Sequence, residues 1–289
     1  MSTLHISTPP HDLDFDLPSV RQITLELMAL LNSEDTSLKD IIATIKLDPA
    51  LTGRLLSYAN SPFLAPLSTI TDLEQAIVRI GRNDLKTIFY RTVMRDAFAT
   101  TDPRLDALMR PIWTHSLAAS VALDKLMPIM RSHLELDEEE QNFISTLGIM
   151  HNIGFLVLQH NFPQAFFDLF HASPPLSLDT FQEAEHAAFA GLDHGLAGKY
   201  VLDHWYFPHF LSDIVLNLFP SPHPASDLLS LIRLSNHLAM HAGLSFYPSV
   251  PATFWIDALP QSWELDAAMN LAPCIAQEAK TYLTLLNQP

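Results

Sequence analysis

Apolar residues recur three and four apart in segment after segment of this 289-residue chain, while the every-second-residue alternation of half-buried strands is scarce. That regularity confines the fold to packed helices, and the punctuation between segments agrees. In SLKDIIATIKLDP, Leu38, Ile41, Ile42 and Ile45 share one face before Asp48 and Pro49 end the run. The same pair can open the next helix, with Asp48 as N-cap and Pro49 at the first helical position, where its missing N–H costs nothing. That helix is expected to run through LTGRLLSYAN to a stop at Ser61 and Pro62. Upstream, Pro18 reads as the start of a helix carrying Val20, Ile23, Leu27, Leu30 and Leu31. Downstream, Thr71 or Asp72 caps TDLEQAIVRIG, Gly81 ends it, and NDLKTIFYRTVMRDAF follows as another helix. Residues 13–100 therefore predict a compact bundle of short helices.

Residues 101–242 predict a second helical unit. A long pattern from Pro103 to Met127 contains Pro111, which is expected to break or kink it. The acidic LELDEEE (134–140) reads as a loop and the solvated first turn of a helix running on into LGIMHNIGFLVL (147–158), with His151 and Asn152 mid-helix. Further helical patterns cover 163–171, 179–190, 193–205, 209–218 and 226–242. FYPSVPATFWIDALP (246–260) reads as an irregular packed connection within a C-terminal helical extension, 243–289, packed on the rest. The fold class is all-α. Glycine is rare, at 8 residues, and no Gly-rich phosphate loop or dinucleotide fingerprint is present.

Composition narrows the function. Asp and Glu number 32 against 16 Lys and Arg, a net charge of -16 that repels phosphate backbones and argues against nucleic-acid and anionic-membrane partners. The single cysteine, Cys274, excludes an internal disulfide and a Cys-rich zinc module, and it reads as a packing residue. No apolar run reaches membrane-spanning length, and MSTLHISTPPHDLDFD is acidic and polar, unlike a secretory signal. A soluble cytoplasmic protein is expected.

With 14 histidines in the chain, spacing must decide which carry chemistry. His151 and Asn152 stand side by side in an otherwise apolar run, where polar groups need a hydrogen bond, a ligand or a metal. WTHSLAASVAL places His115 on an earlier helix, and GLDHGLAGKYVLDHW offers Asp193 as N-cap with His194 in the first turn. LIRLSNHLAM sets Asn236 into an apolar helix. A histidine on one helix, His-Asp on a second and Asp on a third would let a helical scaffold hold a divalent ion and acidify its water. Here both expected carboxylates are amides, which are neutral, bind a hard cation weakly and cannot act as a general base. Three readings follow: a satisfied buried hydrogen-bond cluster joining helices, which is favoured, a small-molecule or weak metal site, and a catalytic metal centre. Asp203-His204 reads as a surface cap. Arg79, Arg82, Arg91 and Arg95 read as a solvated helix face, with docking of an anion or acidic partner as the alternative.

The runs LDPALTGRLLSYANSPF (47–63), AIVRIG (76–81), WTHSLAAS, LGIMHNIGFLVL and EAEHAAFAGLDHGLAGKYVLDHWYFP (183–208) together resemble the HDOD domain, the HD-related output domain of bacterial signalling proteins. The resemblance spans residues 13–242. It implies an N-terminal helical bundle packed on a degenerate HD-phosphohydrolase-like helical domain, in a regulatory family that mostly lacks a complete metal-binding set. By that resemblance His115 matches the first family histidine and His151-Asn152 the altered doublet. His194 matches a later histidine of related cyclic-dinucleotide phosphodiesterases, and Asn236 takes the final aspartate position. The expected function is non-enzymatic signal transduction through protein partners, with no catalytic residue, no metal and no cofactor. The alternatives are a metal-dependent phosphohydrolase or cyclic-nucleotide phosphodiesterase using His115, His151 and His194, and a nucleotide-sensing module that binds a small ligand without turnover. The partner's identity and any homo-oligomer stay open.

Overall fold

Asp48 accepts from the backbone N–H groups of Ala50 and Leu51 at 3.1 Å each, and Asp72 accepts from Gln75 at 2.9 Å. These caps fix two helix starts as read from the sequence. The computed structural model describes residues 15–18, 22–33, 35–62, 64–66, 68–171, 178–219, 225–247, 255–256, 259–260, 263 and 265–286. Its N-terminal bundle holds α1 (Gln22–Asn32), α2 (Leu38–Ile45), α3 (Pro49–Ala59), α4 (Leu73–Ile80) and α5 (Arg82–Ala97). Gly81 joins α4 to α5 in a single residue at φ 81°, a conformation a side chain would strain. Pro18 precedes α1, and whether it opens that helix falls on residues 19–21, outside the described residues.

The second unit is organised on α6 (Pro103–Met130), 28 residues long. Pro111 does not break it. The N–H that proline lacks would have met the carbonyl of Ala107, and both residues are exposed, so water replaces the lost bond. Then follow α7 (Glu138–Met150), α8 (Ile153–Asn161), α9 (Pro163–Phe170), α10 (Leu178–Ala188), α11 (His194–His204), α12 (His209–Leu216), α13 (Asp227–His241), α14 (Leu265–Met269) and α15 (Ala272–Leu286). Among the described residues there is no strand, and no helix is long and apolar enough to cross a membrane. The acidic run does open α7: Asp137 and Glu140 exchange side-chain-to-backbone bonds at 2.8 and 3.0 Å in a capping box.

His151 and Asn152 are not mid-helix, as the sequence suggested. They form a turn between α7 and α8. The cause is local competition: His151 Nδ1 lies 2.8 Å from the Gly148 carbonyl, the acceptor that Asn152 N–H would use in a continuous helix. Two glycines then allow close packing around this turn. A Cβ on Gly148 would lie 2.4 Å from Ser120 Cα on α6, and one on Gly154 would lie 1.7 Å from the His194 carbonyl oxygen.

Helix α6 packs most extensively on α7 and α13, α8 packs on α11, and α15 lies across α6, α13 and α3. Through α15 the end of the described chain touches both units. Tyr282 donates to Asp84 at 2.7 Å and stacks on Tyr58, while Lys125 pairs with Glu278 at 2.7 Å. Buried apolar side chains form one continuous core from Phe15 to Tyr282. Cys274 is exposed, against the packing role expected of it, because it falls on the outer face of α15. The four arginines do not form one solvated face. Arg79 reaches the Leu64 and Ala65 carbonyls, Arg82 the Ser33 carbonyl, and Arg91 is buried, which pulls its pKa down to about 10.

Candidate functional site

Helices α6, α7, α8 and α13 converge on His115, His151, Asn152 and Asn236, all at most 1% exposed. His115 Nδ1 lies 3.0 Å from the Leu244 carbonyl and Nε2 lies 2.8 Å from Asn236 Oδ1. A carbonyl can only accept, so Nδ1 carries the proton. Burial holds the ring neutral, with its pKa lowered to about 4, and Nε2 is then a lone pair that needs a donor. Asn236 Nδ2 has no other partner, and a half-turn of that amide supplies the donor.

His151 repeats the arrangement without adjustment. Nδ1–H donates to Gly148, and Asn152 Nδ2 donates to Nε2 at 2.7 Å. Burial and the neighbouring His115 lower its pKa to about 3. The second Asn152 N–H reaches Ser116 Oγ at 3.2 Å, and Asn152 Oδ1 accepts from Tyr247 OH at 2.9 Å. Every polar atom of that amide is used. The two imidazole rings lie 5.6 Å apart, under a lid of Phe246 and Tyr247 that contacts His115 edge-on. Trp255, fully buried, backs Tyr247.

His194 belongs to the same pocket by stacking rather than by hydrogen bonds. Phe155, three residues after Asn152, lies parallel to its ring at 4.2 Å, and Phe219 meets it edge-on at 4.7 Å. Its Nδ1 is 2.7 and 2.9 Å from the two oxygens of Glu185, a carboxylate 0% exposed. Burial raises the Glu185 pKa, and the facing His194 opposes that rise. Nε2 of His194 is buried with no hydrogen-bond partner. Asp193 caps α11 through Leu196 N–H at 2.8 Å, as the sequence indicated, and also accepts from Gln182 and His186. Burial raises its pKa, but His194 and these donors outweigh it and hold the carboxyl below the ordinary range.

All five expected residues thus meet in one pocket, four of them in a hydrogen-bonded cluster. Glu185, Ser116 and Tyr247 were missed. Glu185 did leave a signal, because it sits on the apolar stripe of its helix between Phe181 and Phe189, both buried. A carboxylate there needs a buried partner. Asp203 is more than a cap, since it accepts from Ser212 at 2.6 Å and faces Lys199 at 3.3 Å, tying α11 to α12.

The resemblance to HD-type hydrolases implies a metal at this position, and the donor chemistry bears on whether these residues would hold one. The lone pairs of His115 and His151 already face amides. Glu185 is turned to the far nitrogen of His194, where a carboxylate orients a ring rather than binding an ion. Among the described residues no three His, Cys, Asp or Glu side chains gather in a metal-holding group. The residues present do not fit a divalent ion.

Comparison with known proteins gives a consistent picture of the fold. The profile of the HDOD domain matches residues 17–218, so Asn236 and Tyr247 lie beyond it. An HDOD domain protein of unknown function from Geobacter sulfurreducens superposes over 94% of this chain and 93% of its own, at 17% identity and a TM-score of 0.67. A candidate phosphohydrolase from Shewanella amazonensis does so over 93% and 95%, at 19% identity and a TM-score of 0.68. A candidate signal transduction protein from Marinobacter aquaeolei is similar at 15% identity and a TM-score of 0.70, over 94% of this chain but 60% of that one. At such identities the likeness shows the fold alone. No curated protein matches the chain. The profile match covers well over half of the sequence, taking in the N-terminal bundle and the second unit as far as α12 with the His151-Asn152 turn: the chain belongs to the HDOD family.

Proposed function

We propose that this protein is a non-catalytic signal-transduction module that acts through contacts with other proteins. One observation carries the reading: the atoms that would bind a metal, Nε2 of His115 and of His151, each face a side-chain amide at 2.8 and 2.7 Å. The amides do two things at once. They remove the negative charge a divalent ion requires, and they occupy the lone pairs it would take. The pocket then works as a polar clasp between α6, the α7–α8 turn and α13, closed by Tyr247. A buried network of this kind specifies one arrangement of helices. The reading is tested by the metal content of protein purified without chelator from cells supplied with manganese, iron and zinc. Far less than one metal per chain is expected; stoichiometric metal that disappears in His151→Ala would overturn it.

A second reading has one observation in its favour. His194 Nε2 is buried and unpartnered, so a small ligand with a hydrogen-bond donor has an acceptor waiting for it. Thermal shift with mononucleotides and cyclic dinucleotides tests it, and no shift in any of them retires it.

A further inference from the structure

Helix α11 ends in a hydrogen-bond pattern that normally requires glycine. Tyr206 N–H bonds the Asp203 carbonyl at 3.1 Å and Phe207 N–H bonds the Leu202 carbonyl at 3.0 Å, the two bonds of a Schellman cap. The residue after the C-cap in this motif must be left-handed, and here it is Tyr206, at φ 58°. A bulky side chain in that region is an outlier. Nothing in the fold explains the choice, because Tyr206 is 91% exposed. A strained, solvated aromatic at a glycine position points to a use outside the fold.

Its surroundings define that use. Tyr206 stands at the edge of a cleft of about 400 Å³ between α1 and the turn after α11, lined by Leu25, Met28, Phe143, Trp205, Phe207 and Pro208. Glu139 lines this cleft and also an adjoining depression of about 490 Å³ walled by Asp35, Asp137 and Glu138. Two cations flank these surfaces from within the fold: Lys86 is buried and donates to the Asn142 carbonyl at 2.8 Å, and Arg82 bonds the Ser33 carbonyl at the end of α1. An apolar slot with an exposed tyrosine therefore opens directly beside an acidic wall.

We propose that this cleft docks a segment of a partner protein in which one or two basic residues neighbour an apolar anchor. The anchor enters between Met28 and Phe207 against Tyr206, and the basic residues lie along Asp35 and Glu139. The acidic wall makes a second copy of this chain, itself at net charge -16, a poor occupant. The proposal deepens the protein-contact reading and rests on it.

The test uses the full chain and a random-peptide phage library. Enriched sequences are remade as fluorescein-labelled peptides and titrated by fluorescence polarisation. Peptides with Lys or Arg beside an apolar residue are expected, binding at least about tenfold more weakly to Tyr206→Gly. That variant suits the cap, so its melting temperature stays level or rises, and lost binding is not lost folding. Asp35→Asn with Glu139→Gln should weaken binding several-fold and flatten its salt dependence. Peptides without basic residues, binding unchanged in Tyr206→Gly, or no enrichment at all each overturn the proposal. So does a concentration-dependent dimer that Tyr206→Gly abolishes, which would make this face a self-contact. In the first three cases the protein-contact reading survives unless the same preparation carries stoichiometric metal.

Discussion

His115 and His194 are both buried to within 1% exposure, in the same pocket, yet they are held in opposite ways. His115, like His151, is neutral because burial keeps it so, and its second nitrogen meets an amide. His194 faces a buried carboxylate on one side and nothing polar on the other. The difference teaches where the pocket keeps its electrostatic stake. The doublet side is a neutral hydrogen-bond clasp that water or acid would loosen. The Glu185 side is a buried pair, costly to break because either partner alone is an uncompensated polar group.

That contrast can be broken most forcefully at Glu185. Glu185→Ala strands His194 and should cost about 3–5 kcal/mol in chemical denaturation, against a much smaller loss for Glu185→Gln, which keeps an acceptor. Equal losses would mean that the carboxylate's charge, and not merely an acceptor at that place, holds this side. Next comes Gly154→Ala. Its Cβ would collide with the His194 carbonyl at 1.7 Å, so α8 and α11 must part, at a cost of about 3 kcal/mol. A variant as stable as the parent would remove the close approach from the account.

The doublet side is probed by acid. His115 and His151 stay neutral down to about pH 4 and 3, whereas in the unfolded chain they protonate near 6.5. Unfolding therefore takes up protons below that value, and stability falls as pH falls from 6.5 toward 4. From pH 7 to 5.5 the two rings together account for roughly 2.5 kcal/mol. Asp124, raised to about 6 by burial, opposes this by taking up its proton in the folded state first, as do Asp84 and Glu185, which are also raised. Asp124→Asn should steepen the acid loss by nearly 1 kcal/mol, by about 1.4 kcal/mol per unit of displaced titration. An acid limb no steeper than the parent's would mean that Asp124 does not take up its proton first in the folded state. The smallest effect belongs to Tyr247→Phe, which leaves Asn152 Oδ1 without its donor and should cost about 1 kcal/mol with no change in acid slope.

What could be read in the sequence follows the range of the forces involved. Asp48, Asp72, Gly81 and Asp193 mark helix ends through bonds made within a few residues, and each lies where it was expected. His151, Asn152, His115 and Asn236 were named because a polar group in an apolar run advertises itself, and His194 from its place in the first turn after Asp193 and from the family resemblance. The break after Met150 was not legible, because it depends on an imidazole taking a carbonyl from the backbone ladder. Tyr247 was beyond reach for another reason: its bond to Asn152 joins residues 95 apart, and no local pattern encodes such a meeting. Pro111 did not end the helix because the effect of its missing N–H depends on which carbonyl it deprives, and Ala107 is exposed.

The uninterrupted core from Phe15 to Tyr282 has a thermodynamic consequence. With no seam between the bundle and the helices around His151, and with α15 fastened to both, the described chain should melt as a single cooperative body. Anything bound by the native state alone then raises the opening free energy of every amide that exchanges only by global unfolding, by RT ln(1 + [L]/Kd). Occupation of one surface would be legible as slowed hydrogen exchange in α15, without any visible movement between the two.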